Sequence, residues 1–133
     1  MTEVFRKLNF KAQTPILVMG APSSFEAEIG AMKGETEVHT TPRKGTAYAF
    51  ALAFGETRAD IEKAGGAVTK LLDGDAVCWF AYPKGTSKRF TSDVNRDDMW
   101  ELLSRFGIRP VRQIAIDDDW SALRFRRSQY GKP

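Results

Sequence analysis

Cysteine and histidine are almost absent from this chain of 133 residues, which carries one of each. Cys78 alone cannot close an internal disulfide, so a disulfide-stapled mini-protein is excluded. One Cys and one His fall short of the four ligands of a usual structural zinc site. No run approaches the ~20 apolar residues that cross a bilayer as a helix. Charges interrupt the first ten residues too often for a signal-peptide core. There is no internal repeat, no low-complexity tract and no linker long enough to divide the chain. Net charge is small: 20 Lys+Arg against 17 Asp+Glu leave +3. These features predict a single domain, 1–133, in the cytoplasm, long enough to build a full core without staples.

Familiar chemical motifs are missing as well. No G-x-x-x-x-G-K-[ST] occurs, so there is no P-loop. The run Asp117-Asp118-Asp119 invites a calcium reading, but an EF-hand needs Gly at its sixth position and Glu at its twelfth. Counted from Asp117 these are Ala122 and Ser128, so an Asp-rich turn is expected and no metal site is assigned. A Cys–His nucleophile would have to breach the apolar run Ala76-Val77-Cys78-Trp79-Phe80-Ala81, where Cys78 reads as a buried, inert thiol.

What the chain does have is three apolar runs, at 15–20, 47–54 and 75–82, the last opening on Asp75. Such runs suit strands covered on both faces. Amphipathic segments alternate with them. Ser23 and Glu26 have capping-box spacing, and Phe25, Ile29 and Met32 follow on one helical stripe until Gly34. Thr57 opens a second helix, to about Leu72, with Ile61, Ala64, Val68 and Leu71 as its buried face. Gly65-Gly66 within it predicts close approach to the sheet, and Asp73-Gly74 a stop and turn. Asn95 caps a third helix to Phe106, with Met99, Trp100, Leu103 and Phe106 on one side. A short edge strand is expected at 37–41. Two more at 111–116 and 122–127 are expected to pair antiparallel. The pattern defines an α/β fold with a mostly parallel sheet.

Three segments carry a resemblance. Val18-Met19-Gly20-Ala21-Pro22, Tyr82-Pro83-Lys84-Gly85-Thr86-Ser87 and Asp117-Asp118-Asp119-Trp120-Ser121-Ala122-Leu123-Arg124-Phe125 resemble a small bacterial family of unknown function with a class I methyltransferase-like core. The resemblance implies a three-layer Rossmann-like sheet of about six strands. Its implied order is 2-1-3-4-6-5, closed by a C-terminal antiparallel hairpin. Cores of this kind hold S-adenosylmethionine, with several glycines after the first strand and an acid at the end of the second. Here the corresponding stretches are Gly20-Ala21-Pro22 and His39-Thr40-Thr41-Pro42, so the cofactor stays undefined.

In an open α/β sheet, ligands settle beyond the C-terminal strand ends at the switch point. With that order, Gly20, Ala21, Pro22 and Ser23 line the crevice with residues 55–58. The loop containing Lys84, Gly85, Thr86 and Ser87 stands alongside. Its glycine, hydroxyls and cations suit an anion, although basic loops are commonly just solvated. Asp93, Arg96 and Asp97 cluster where the third helix starts, as a cap with an exposed pair or as an anion contact. Residues 103–133 hold seven basic and three acidic groups. There Arg124, Arg126, Arg127 and Lys132, with Arg112 near them and Tyr130 for stacking, form a candidate basic strip. The same charges also protect an edge strand from aggregation.

The expected function is a non-catalytic or catalytically degenerate Rossmann-like domain that binds a small anionic ligand or a protein partner. The alternatives are an S-adenosylmethionine-dependent methyltransferase-like enzyme and weak nucleic-acid binding through the C-terminal arginines. A homo-oligomer is compatible with a free edge strand or helix face.

Overall fold

The computed structural model describes residues 1–90 and 92–130. In chain order its elements are α1 (Glu3–Lys7), β1 (Ile16–Met19), α2 (Glu26–Met32), β2 (Val38–His39), β3 (Tyr48–Phe54), α3 (Arg58–Val68), β4 (Leu72–Pro83), α4 (Arg96–Ser104), β5 (Ile108–Ala115) and β6 (Trp120–Arg127). The six strands form one sheet in the order β2-β1-β3-β4-β6-β5. β1, β2, β3 and β4 run parallel; β6 runs against β4, and β5 against β6. This is the Rossmann-like arrangement with a reversed C-terminal hairpin.

Alternation along the central strands divides two cores, because successive side chains leave a strand on opposite faces. Leu17, Ala51, Cys78 and Phe80 face α3 and α4, meeting Ile61, Ala64, Val68, Met99 and Leu103. Val18, Phe50, Leu52 and Trp79 face α1 and α2, meeting Phe5, Leu8, Phe25 and Met32. Each large side chain wholly withdrawn from water contributes about 1.5–3 kcal/mol. Thr57 and Asn95 both complete capping boxes, with Asp60 and Asp98 as the answering side chains.

Several expectations need correction. Helix α1 was not anticipated; Thr2 caps it, and Trp79 Nε1 donates to the Leu8 carbonyl at 2.8 Å, fixing it over the sheet. Ser23 makes no capping hydrogen bond: residues 23–25 form a 3-10 turn, and α2 starts without a side-chain cap. Asp73-Gly74 does not end an element but lies within β4, where the β3–β4 register shifts and Gly74 takes φ +56°. Gly65 brings α3 against α4, not against the sheet: an added Cβ would stand 2.7 Å from Leu103 and from the Phe106 ring. Trp100 is 58% exposed, because the buried stripe of α4 runs through Met99, Leu102 and Leu103. The edge strand β2 is only two residues long and parallel to β1. Residues 40–47 cross back to β3 without a helix, which resolves the tight spacing between the second and third strands.

Candidate functional site

The C-terminal strand ends carry three clefts instead of one crevice. Between the ends of β1 and β3 lies a cavity of about 310 Å³, with Gly20, Pro22, Gly55, Glu56, Lys63 and Trp120 in its wall. Gly20 sits at φ +72°, and a Cβ there would stand 2.9 Å from the Phe54 carbonyl oxygen. Only glycine lets the two strand ends come this close without strain. A second cavity of about 560 Å³ lies towards α2, lined by Gly20, Ala21, Glu26, Lys33 and Thr40 among others. Ser23 is exposed on its 3-10 turn and lines neither cavity.

The start of the loop after β4, residues 84–87, lines neither cavity. Trp120 meets Phe54 edge to face, with centroids 5.2 Å apart, and Phe90 likewise, at 5.1 Å. This aromatic wall lies beside the switch-point cavity. Lys84, Gly85 and Thr86 line a third cavity, of about 340 Å³, with Tyr82, Arg96, Gln113 and Ser121. Ser87 is taken out of it: its Oγ donates to the Asp119 carboxylate at 2.9 Å and accepts from Phe90 N–H. Asp117 accepts from the backbone of Asp119 and Trp120, so the Asp-rich segment is a turn.

This third cavity is chemically the most defined. Tyr82 and Ser121 are cross-strand partners in β4 and β6, so their side chains leave the sheet on the same face. They are 5% and 7% exposed, and neither hydroxyl has a protein hydrogen-bond partner among the described residues. Burial pushes the Tyr82 phenol above its usual range, while the nearby Arg96 cation pulls it down. The phenol therefore keeps its proton at neutral pH and can donate it. Neither Lys84 nor Arg96 pairs with a carboxylate among the described residues, and no acid lines the cavity. At the start of α4 the Asn95 and Asp98 amides are already taken by the capping box. Two cations and two hydroxyls are the available chemistry. Sequence reasoning nominated Lys84 and noticed Arg96 but missed Tyr82 and Ser121, whose signal was a hydroxyl at the rim of an apolar strand.

The basic strip is also redistributed. Arg126 forms a forked pair with Asp75, at 3.0 and 2.5 Å. Arg127 donates to the Thr69 and Leu72 carbonyls, closing the end of α3. Arg124 lies on the sheet face with Arg112 opposite. Tyr130 is 39% exposed; Lys132 lies outside the described residues. Asp93 accepts from the Arg58 backbone, and Arg58 pairs with Asp98, so neither acid answers Arg96. His39 is buried between the Tyr48 hydroxyl, at 2.6 Å, and the Glu37 carboxylate. Among the described residues, no three His, Cys, Asp or Glu side chains gather to hold a metal. No helix in the described residues is long and apolar enough to cross a membrane.

No protein-family model and no curated protein matches the chain. Solved structures do. The N-methyltransferase NodS of Bradyrhizobium japonicum WM9 is similar over 94% of this chain and 92% of its own, at 12% identity and a TM-score of 0.59. Magnesium protoporphyrin IX methyltransferase ChlM of Synechocystis PCC 6803, solved with SAH, covers 93% and 81% at 10% identity and a TM-score of 0.64. The ribosomal protein L11 methylase of Lactobacillus delbrueckii subsp. bulgaricus covers 93% and 76% at 10% identity and 0.60. The chain thus has a class I methyltransferase-like core, a likeness of fold. The ribose-binding acid of such cores has no counterpart here. β2 ends in buried His39 and then Thr40, and Glu37 turns to His39. The loop after β1 supplies one glycine before Ala21-Pro22. These residues do not fit S-adenosylmethionine.

Proposed function

We propose that the chain is a non-catalytic Rossmann-like binding domain that holds a small dianion, a phosphate monoester or a dicarboxylate, in the cavity between Lys84 and Arg96. The observation that carries this reading is the pair of unneutralised cations that line one cavity with two hydroxyls lacking a protein partner. Charge-assisted hydrogen bonds are about twice as strong as neutral ones. The Tyr82 and Ser121 hydroxyls have no protein partner among the described residues and can donate to an oxyanion that enters. About 340 Å³ lies at the small end of ligand cavities. Methyl transfer is set aside because the residues after β1 and β2 do not suit its cofactor.

A thermal-shift panel of inorganic phosphate, malonate and S-adenosylmethionine tests it. A dianion at a hundredfold excess over its Kd stabilises by about 2.7 kcal/mol. The expected result is a saturable rise in Tm with phosphate or malonate, lost in Lys84→Ala/Arg96→Ala. A dose-dependent rise with S-adenosylmethionine, abolished by Ala21→Trp, would instead establish the methyltransferase-like reading.

A further inference from the structure

On the face of the sheet that α1 and α2 cover only in part, the C-terminal hairpin opposes arginine to arginine. Arg112 of β5 is the register partner of Arg124 of β6, and Arg109 is the partner of Arg126. All four leave the sheet on the side of Ala122 and Ile114, the α1 side. Like charges directly opposite one another weaken a strand pair. Only Asp75 answers them among the described residues, and its carboxylate is committed to Arg126. Burial lowers the Arg124 guanidinium from its ordinary value, and the neighbouring Arg126 and Arg112 cations add to that. The Nε atoms of Arg109 and Arg124 are buried without a partner. A hairpin that keeps Arg112 opposite Arg124 with no acid to answer them, and two orphaned guanidinium nitrogens, is locally inconsistent with its own fold, and such conflicts concentrate where a partner is bound.

We propose that Arg109, Arg112 and Arg124, beside the Asp75-paired Arg126, form a second anion site, separate from the Lys84–Arg96 cavity, that binds the phosphate backbone of nucleic acid without sequence preference. Guanidinium forks match phosphate bidentately, which ammonium groups do not. Residues two apart on a strand are about 7 Å apart, so the three guanidinium groups that no acid answers can follow successive phosphates of an extended strand. These arginines lie on a sheet face, and none of them lines a cavity described above, which suits a polymer better than a small oligophosphate. Guanidinium groups on a sheet face reach phosphates and not base edges, so the contact carries no sequence information.

The test is fluorescence anisotropy of the full chain with a labelled mixed-sequence 20-nucleotide single strand, in 50 to 200 mM salt. With about three phosphates neutralised, log K should fall against log salt with a slope near −2. Arg112→Glu is the diagnostic variant, because Arg112 is exposed and its replacement turns a repelling pair into an attractive one. It should weaken binding at least tenfold while raising Tm by about 2–4 °C. Lys84→Ala/Arg96→Ala should bind the oligonucleotide as wild type does, separating this site from the dianion cavity. Three results would overturn the proposal: no binding at 100 µM protein in 50 mM salt, a slope near zero, or full binding by Arg112→Glu. Binding to phosphatidylserine-containing vesicles that the oligonucleotide cannot displace would also overturn it, in favour of a membrane surface.

Discussion

Replacing Gly20 with alanine probes the joint on which the whole edge of the sheet depends. Two costs are read from its geometry. The residue holds φ +72°, and a non-glycine residue in the left-handed region costs about 1–2 kcal/mol. The new Cβ would also stand 2.9 Å from the Phe54 carbonyl oxygen, a backbone atom tied into β3. Relieving that overlap means shifting β1 against β3, the kind of overpacking that costs about 1–3 kcal/mol. Gly45 separates the two contributions: its φ is +86° and an added Cβ there meets nothing within 4 Å. Gly45→Ala should therefore lose about 1–2 kcal/mol and Gly20→Ala about 2–5 kcal/mol. For 133 residues the unfolding entropy is about 0.28 kcal/mol/K, so the second variant should melt some 7–18 °C below wild type. Urea titration of both variants, with the m-value checked for constancy, measures the difference. Equal losses would mean that β1 and β3 do not approach as described, and the switch-point cavity would lose its basis.

Three further outcomes follow from particular contacts. Gly65→Ala should cost about 1–3 kcal/mol by pushing Leu103 and Phe106 off α3, whereas Gly66→Ala, whose Cβ would meet the Phe106 ring at an ordinary contact distance of 3.7 Å, should be tolerated or stabilising; chemical denaturation compares them. Burial pushes the Cys78 thiol up to about 12. It should therefore resist iodoacetamide at pH 8 until urea unfolds the chain. The same shift favours the folded state below pH 9 and is lost as pH climbs from 9 towards 12; rapid native alkylation would contradict both statements. Asp75 is held below the usual carboxylate value by its hydrogen bonds to Arg126. Its contribution is present at neutral pH and disappears as pH falls below about 4, so Asp75→Asn should flatten the acid limb of stability against pH.

The three apolar runs announced the middle of the sheet because strands covered on both faces need no polar side chains between Pro15 and Met19, Ala47 and Phe54, or Ala76 and Tyr82. The two-residue strand at Val38–His39 was much harder to read, since its length is set by pairing with Ile16 and Leu17 and not by its own pattern. Trp100 misled for a related reason. A tryptophan in an amphipathic segment looks like core, but the stripe through Met99, Leu102 and Leu103 leaves position 100 on the outside. Helix α1 had a legible signal, a Thr cap with Phe5 and Leu8 three apart, though charges beside it drew attention elsewhere. The site was legible only in pieces. Composition marked Lys84-Gly85-Thr86 as anion-friendly. That Ser87 would be captured by Asp119, and that Tyr82 and Ser121 would sit opposite each other, depended on the β4–β6 register. Arg109 was missed for the same reason, because its partner in the hairpin is 17 residues away in the chain.

The cavity beside β4 can be tested residue by residue. A titration of the ¹⁵N-labelled protein with inorganic phosphate, followed by two-dimensional NMR, reports where the ion goes. Saturable shifts at Gly85, Thr86 and Arg96, absent in Lys84→Ala/Arg96→Ala, are the predicted result. No shift at these amides, or shifts confined to residues 20–22 and 55–56, would contradict it.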